Sequence, residues 1–346
     1  LAVFAVCLAA LLLSRANVKV LAGALLPVLL VAVGMFSTGY HFHAGAGMPI
    51  NAAAQALTGA AVWNGLVLGS RVFGAKNWII LGPLSFQPSE IAKLTVIICF
   101  SYWVARDPKS VRSVKTMVQP YGLLLAMYIG LLYLEPHTSA MVIICGIGVI
   151  ILLAGGMRLW YFAPILGLGA GAVAAFYVAF PHVRTRFEVW LNPFSDMADK
   201  GLQGSMSQIA IGSGGLLGRG LGNGLQKQLH LPEPHNDFIF ATWCEEMGLI
   251  GALLVILLFA YLIYRGFRVA RYAPDKFGSL LATGITAKLA IQTLMNLFVV
   301  TGIMPVTGAA LPFFSYGGTA LMLQLGEMGI LLNISRYMRI DRRNQD

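Results

Sequence analysis

The chain has 346 residues, of which 58% are hydrophobic and only 11% charged, and its mean hydropathy is +0.75. Soluble domains carry roughly 25% charged residues, so a water-soluble globular protein is excluded and a polytopic, all-α transmembrane bundle fits. The formal net charge of +10 does not point to nucleic acid, because the basic residues gather between apolar runs, where they read as positive-inside topology signals.

The apolar sequence starts at Leu1 and continues through Leu13 with no charged segment before it, which argues against a cleaved signal peptide. A basic break, Ser14 to Lys19, is followed by a second apolar run over about 20–39. Further spans are expected at about 78–105, 119–134, 139–157, 160–180, 241–264, 279–302 and 317–335. The breaks at 15–19, 106–115, 265–276 and 336–343 are basic and read as cytoplasmic. The weakly apolar stretch 52–73 would reverse that parity if it crossed, so it reads as re-entrant or surface-lying. The same parity places Leu1 outside, and a cytoplasmic start would then need one more helix upstream. The whole of 1–346 reads as a single membrane domain of about nine spans. Cys7, Cys99, Cys145 and Cys244 form no C-x-x-C pair, so neither disulfides nor a cysteine-ligated metal is expected.

Residues 181–240 form a large outer-side loop, rich in charge and in glycine (Gly212, Gly214, Gly215, Gly218, Gly220, Gly222, Gly224). Such a run allows close backbone approach to a ligand, and successive amides can hold a phosphate. It equally suits tight turns in a buried loop. No G-x-x-x-x-G-K-[ST] sequence is present, so nucleotide binding is not supported. Within the loop, Leu231-Pro232-Glu233-Pro234 gives way to Phe238-Ile239-Phe240, and Asp237 stands at the change. A carboxylate at a water–membrane boundary suits a general base; Asn236 or Asp237 could equally cap the following helix. Glu233 is the second candidate base. Glu245 and Glu246 lie further along that helix and could favour its N-terminal end.

Four passages together resemble the shape, elongation, division and sporulation family of membrane peptidoglycan polymerases, which includes RodA and FtsW. They are GAKNWIILGPLSFQPSEIAKL (74–94), LEPHTSA (134–140), IAIGSGGLLGRGLGNGLQKQLHLPEPHNDFIFATWCEEMGLIG (209–251) and TGIMPVTGAALPFFSYGGTALM (301–322). The ending MGILLNISRY (328–337) is similar to the division or sporulation branch. The resemblance implies a ten-helix fold, of which this chain would begin at the second. It implies polymerisation of lipid II, a disaccharide-pentapeptide on undecaprenyl pyrophosphate, on the outer face of the bacterial plasma membrane. Asp237 is the family-matched base. Asn77 stands where the family usually has a basic residue before tryptophan, and Lys76 takes that role.

For the departing pyrophosphate, Lys76, Lys93, Arg184, Arg186 and Lys227 are available, with Ser315 a further substrate contact; a cation stabilises developing phosphate charge directly. Glu90, three residues before Lys93 on the same helix, could instead neutralise it. His137 and His235 read as hydrogen-bonded structural residues rather than metal ligands. No metal site is expected, although a divalent cation bridging pyrophosphate to Asp237 or Glu233 is compatible with the residues. The implied partners are a single-span class B penicillin-binding protein and other divisome or elongasome membrane proteins. A lipid II transporter and a non-catalytic scaffold are the rival functions.

Two further expectations come from the residues alone. Pro305 and Pro312 should make 301–318 an irregular turn beside the Asp237 passage, since broken backbone at membrane depth must be buried in protein or face water. Lys288 and Glu327, charges at matching depth on consecutive antiparallel spans, read as an interhelical pair, the alternative being that Lys288 snorkels to the cytoplasmic surface while Glu327 is protonated or bonded to a nearby group.

Overall fold

The computed structural model describes residues 70–72, 75–81, 84–134, 138–161, 181–196, 201–226 and 235–338, with 163, 164, 167, 169, 171, 177 and 178. The first two expected spans and most of 52–73 lie outside the described residues. Eight principal helices are described: α1 (Pro88–Arg106), α2 (Leu123–Leu134), α3 (Thr138–Gly155), α4 (Pro181–Leu191), α5 (Leu202–Ser213), α6 (Ile239–Tyr272), α7 (Lys276–Val300) and α8 (Gly318–Arg336). Among the described residues, α3, α6 and α7 are long and apolar enough to cross a membrane by length and composition. The expected helical membrane fold holds, with one addition.

That addition is a three-stranded antiparallel sheet, β1 (Ser70–Val72), β2 (Ala75–Leu81) and β3 (Leu84–Phe86), in the order β1-β2-β3. Ile79 pairs with Phe86, Ile80 with Ser85 and Leu81 with Leu84. The span expected at 78–105 is therefore corrected to a hairpin followed by α1. Gly82-Pro83 interrupts the apolar run, and Pro88 occupies the first turn of α1, a position it favours because its missing N–H would be unpaired there anyway. Glu90 in the first turn and Arg106 in the last complement the helix dipole.

The chain divides into two compact units, where the sequence read as one domain: Leu1–Met157 with Gly266–Ala287 and Gly318–Asp346, and Arg158–Arg265 with Lys288–Gly317. Both boundaries after Met157 that fall near 265 and 287 lie inside continuous helices, so no linker composition marks them. In the first unit, α1 packs on α3 through Val96, Ile97, Phe100, Ile144, Ile147 and Ile151, all fully buried. Glycines let these helices approach closely, as small residues do at membrane helix crossings. A Cβ on Gly284 of α7 would lie 2.7 Å from Ile97 Cγ2 and 2.8 Å from Ile151 Cδ1. Tyr121, 1% exposed, sits edge-on to Phe100 at 5.0 Å and shares a 2.9 Å hydrogen bond with the Ser110 hydroxyl.

In the second unit, Phe238, Phe240, Ala241, Cys244, Val299, Val300 and Leu311 form a buried cluster. The segment read as an outer loop, 181–240, contains α4 and α5. As expected, 301–317 is irregular, running between α7 and α8. Lys288 and Glu327 are 1% and 3% exposed, and neither lacks a polar partner; their pairing stays an expectation from sequence.

Gly284→Leu should lower stability by about 1–3 kcal/mol, the range for overpacking a filled core. Gly329→Ala, where a Cβ meets nothing within 4 Å, should be neutral or stabilising by up to ~1 kcal/mol through helix propensity. Thermal denaturation in detergent reads both, and equal effects would contradict the packing described.

Candidate functional site

Asp237 lies in a turn two residues before α6, half-buried, next to Phe238, which is 1% exposed and anchors the turn in the core. Three groups from elsewhere in the same unit hold this turn. Asn296 of α7, fully buried, donates from Nδ2 to the carbonyls of both Asp237 and Ala309, each at 2.7 Å. Ser315 accepts from the Leu311 N–H at 2.7 Å and donates to the Asn236 carbonyl at 2.8 Å. The Tyr316 N–H donates to the His235 carbonyl at 2.9 Å. One turn before Asn296, on the same helix face, Gln292 donates to the Ala310 carbonyl at 3.1 Å.

The passage 301–317 thus packs against the Asp237 turn, as its prolines suggested. Gly308, with φ 74, faces the carboxylate, and a Cβ there would lie 3.5 Å from Asp237 Oδ2. Phe313 holds φ 65, an uncommon conformation for a bulky residue and of the kind that clusters at functional sites.

The glycine-rich segment 214–226 packs its backbone against α6. Helix α6 is broken at Gly248 (φ 65, ψ −165), which frees backbone groups on both sides of the break. The N–H groups of Arg219 and Gly220 donate to the carbonyls of Glu245 and Glu246, both at 3.0 Å. In return, the N–H of Leu249 donates to the Gly215 carbonyl at 2.9 Å. Gly218 lies so close to the Glu246 carbonyl that any Cβ would collide with it.

The amides further along the segment hold an anion that belongs to the chain. The carboxylate of Glu245, fully buried, accepts the N–H of Leu225 at 2.9 Å and of Gln226 at 3.2 Å, with the Ser213 hydroxyl at 3.4 Å. Of the two readings of the glycine-rich run, these contacts follow the one of tight turns in a buried loop. Glu245, assigned from sequence to the helix dipole, instead pins the segment that leads towards Asp237.

The remaining predicted residues separate. Lys93 and Glu90, 2% and 5% exposed, are joined by an ion pair within α1, so the neutralising reading of Glu90 is realised. Arg184 is exposed and paired with Glu188 of its own helix at 2.9 Å, a surface pair worth about 0–1 kcal/mol. Ser315, expected to contact substrate, has its hydroxyl engaged in both directions and holds the turn. Lys76 lies in β2 and Arg186 in α4, their side chains outside what is described. Lys227, Glu233 and His137 lie outside the described residues. His235 is exposed and contributes its backbone carbonyl. Among the described residues, no group of three or more His, Cys, Asp or Glu is placed to hold a metal ion.

The family pattern described as "Cell cycle protein", which unites FtsW, RodA and SpoVE, matches residues 57–340. The chain belongs to this family. It is 39% identical to "Stage V sporulation protein E" of Bacillus subtilis over 77% of this chain and 73% of that one. It is 40% identical to "Probable peptidoglycan glycosyltransferase FtsW" of Geobacter sulfurreducens over 79% of this chain and 73% of that one. These relatives agree with the division or sporulation branch read from MGILLNISRY.

The fold of the FtsW/RodA/SpoVE family is also seen in solved structures. One is a chain of "Structural coordination of polymerization and crosslinking by a peptidoglycan synthase complex", with TM-score 0.69, 26% identity, and coverage of 100% of this chain and 96% of that one. "Rod shape determining protein RodA" of Thermus thermophilus matches in fold with TM-score 0.56 and 24% identity, covering 98% of this chain and 94% of that one.

Asn296 and Gln292 are site residues that the sequence alone did not mark, and Glu245 holds a different role from the helix-end one read there. The signal was present: polar side chains inside apolar spans are functional suspects by default, and Gln292 and Asn296 are spaced i, i+4. Glu245→Ala should cost about 1–3 kcal/mol, the penalty for leaving buried donors unsatisfied. Hydrogen–deuterium exchange at Leu225 and Gln226 should accelerate in that variant and much less in Glu245→Gln, which keeps an acceptor oxygen. Unchanged exchange in Glu245→Ala would contradict the pinning role.

Proposed function

We propose that this multi-pass membrane protein is a peptidoglycan glycosyltransferase that polymerises lipid II, with Asp237 as general base. What carries the reading is the Asp237 turn. A half-buried carboxylate, fixed through its backbone from α7 and from 301–317, faces the glycine at 308. A general base must be held within hydrogen-bonding reach of the proton it takes, and a rigid support favours that. The glycosyltransferase names of the relatives at about 40% identity support the same activity.

In this reading Asp237 accepts the proton of the acceptor sugar hydroxyl. The hydroxyl oxygen attacks the anomeric carbon of the donor, the new glycosidic C–O bond forms, and the bond to the undecaprenyl pyrophosphate oxygen breaks. The pyrophosphate leaves with the electron pair. Lys76, Lys93, Arg184, Arg186 and Lys227 remain the candidates for stabilising its charge, with Lys93 already offset by Glu90. Glu233 is the second candidate base. A divalent cation bridging the pyrophosphate to Asp237 or Glu233 is compatible with this reading.

In this reading the active site faces the outer side of the bacterial plasma membrane. A class B penicillin-binding protein that cross-links the product is the proposed partner, supported by the likeness to a chain of a complex described as coordinating polymerisation and crosslinking. Other division-machinery membrane proteins and lipid II itself follow from the same reading. The rival transporter would use discontinuous helices. Helix α6 is discontinuous, but the glycine-rich segment takes up its freed backbone groups.

Purified protein with lipid II in detergent should form glycan polymer. Asp237→Asn should fold with unchanged thermal stability and lose at least 10²-fold in rate, within the usual range for a general base. Polymerisation by Asp237→Asn at the wild-type rate would refute the base assignment. Lipid II flipping in liposomes without polymer would favour a transporter, and partner binding with neither activity a scaffold.

A further inference from the structure

Two cavities lie along α4 and the turn after it. One, of about 540 Å³, has Glu188 and Asp196 in its wall. The other, of about 400 Å³, is mostly apolar, with Thr185, Trp190, Gln203, Gln208, Met304 and Val306 in its wall, and none of the described residues that line it is charged. Its size falls within the roughly 300–1,000 Å³ of small-molecule sites, and nothing in the reaction described above uses it.

The chemistry of the wall is selective. Among the described residues, neither Gln203 nor Gln208 engages its side-chain amide in a hydrogen bond. The Trp190 indole N–H donates to the Gly302 carbonyl at 2.9 Å, so the ring offers the cavity carbon surface. Gly302, at φ 80, makes room for the Gln208 amide, because a Cβ there would collide with Gln208 Nε2. Two unused neutral amides beside an indole suit a neutral ligand that carries an amide, hydroxyl groups and an apolar ring face. Among the described residues of the wall, none is a cation that would hold a pyrophosphate. A bare polyprenyl chain would bury both amides without partners, which is unfavourable.

We propose that this cavity is a subsite for an N-acetylated amino sugar of the glycan strand or its precursor. The proposal rests on the glycosyltransferase reading above and gives that site a sugar-binding pocket. Its wall is continuous in sequence with the Asp237 site: Met304 and Val306 line the cavity, and Gly308, two residues on, faces the carboxylate. One loop therefore joins sugar recognition to the base.

The test is saturation-transfer NMR on the full chain in detergent, with N,N′-diacetylchitobiose as probe. Cellobiose, which lacks acetamido groups, and the dipeptide Ala-Ala are comparators. Gly204→Leu fills the cavity, since a Cβ there meets only Pro193 Cβ at 3.8 Å; Gln208→Leu keeps the bulk and removes the amide. Transfer to diacetylchitobiose should exceed that to cellobiose at least fivefold, fall to the cellobiose level in both variants, and persist in Asp237→Asn. If Gly204→Leu does not fold, the Gln203→Leu, Gln208→Leu double variant decides in its place.

Equal transfer to the two sugars, stronger transfer to the dipeptide, or an unchanged signal in the folded variants would overturn the proposal. Lipid II polymerisation separates it from the broader reading. Polymer formed without acetamido-dependent binding rejects the subsite alone. Acetamido-dependent binding that both variants abolish, in a protein that forms no polymer, rejects the glycosyltransferase reading and keeps the sugar pocket.

Discussion

The arrangement around Asp237 depends on one buried amide. Asn296 is fully buried in α7 and donates to the carbonyls of Asp237 and Ala309 at once, so a single rigid helix fixes the relative position of two irregular segments. A hydrogen bond of this kind contributes only about 0.5–1.5 kcal/mol net, and two of them do not create the fold. Their importance lies in geometry. Carbonyls buried without donors would cost more than the bonds return, so competing placements of the two segments are disfavoured. Ser315, the Tyr316 N–H and the buried ring of Phe238 act on the same turn from other directions. Linked hydrogen bonds of this sort reinforce one another and specify one arrangement.

Backbone accounting explains the second half of the unit in the same terms. A membrane helix interrupted at Gly248 exposes N–H and C=O groups that hydrocarbon cannot satisfy. The segment 214–220 supplies partners to both sides of the break, and glycine is needed where the two backbones touch, at Gly218 against Glu246. The Glu245 carboxylate then fixes Leu225 and Gln226, the last described residues before the passage that ends at Asp237. The break, the glycine-rich segment and the buried glutamate form one device. Removing any of them leaves the others with unpaired polar groups.

Sequence exposed the parts of this design that are periodic or punctuated. Long apolar runs located α3, α6 and α7, and Pro305 and Pro312 marked the irregular passage that closes on Asp237. The i, i+3 spacing of Glu90 and Lys93 foretold their pairing. Other features left no comparable trace. The strand pair 75–81 and 84–86 was hidden because its tryptophan, isoleucines and leucine look like the start of a membrane helix, and length alone separates the two readings. The unit boundaries fall inside α6 and α7, where hydropathy does not change. Glycine-rich backbone approaches an anion and a helix break in the same way, so composition could not tell phosphate from Glu245. Asn296 left only a weak trace, because a neutral amide inside an apolar run disturbs the hydropathy far less than a charge does.

The central claim is that Asn296 supports activity through Asp237 and by no separate route. The direct measurement is kcat/KM for lipid II polymerisation by Asn296→Ala, Asp237→Glu and the double variant, each shown to be folded. Residues acting on one function couple, with interaction energies of about 0.5–3 kcal/mol. The account predicts that the double variant is little worse than the poorer single variant. Losses that multiply fully, with no coupling, would contradict it.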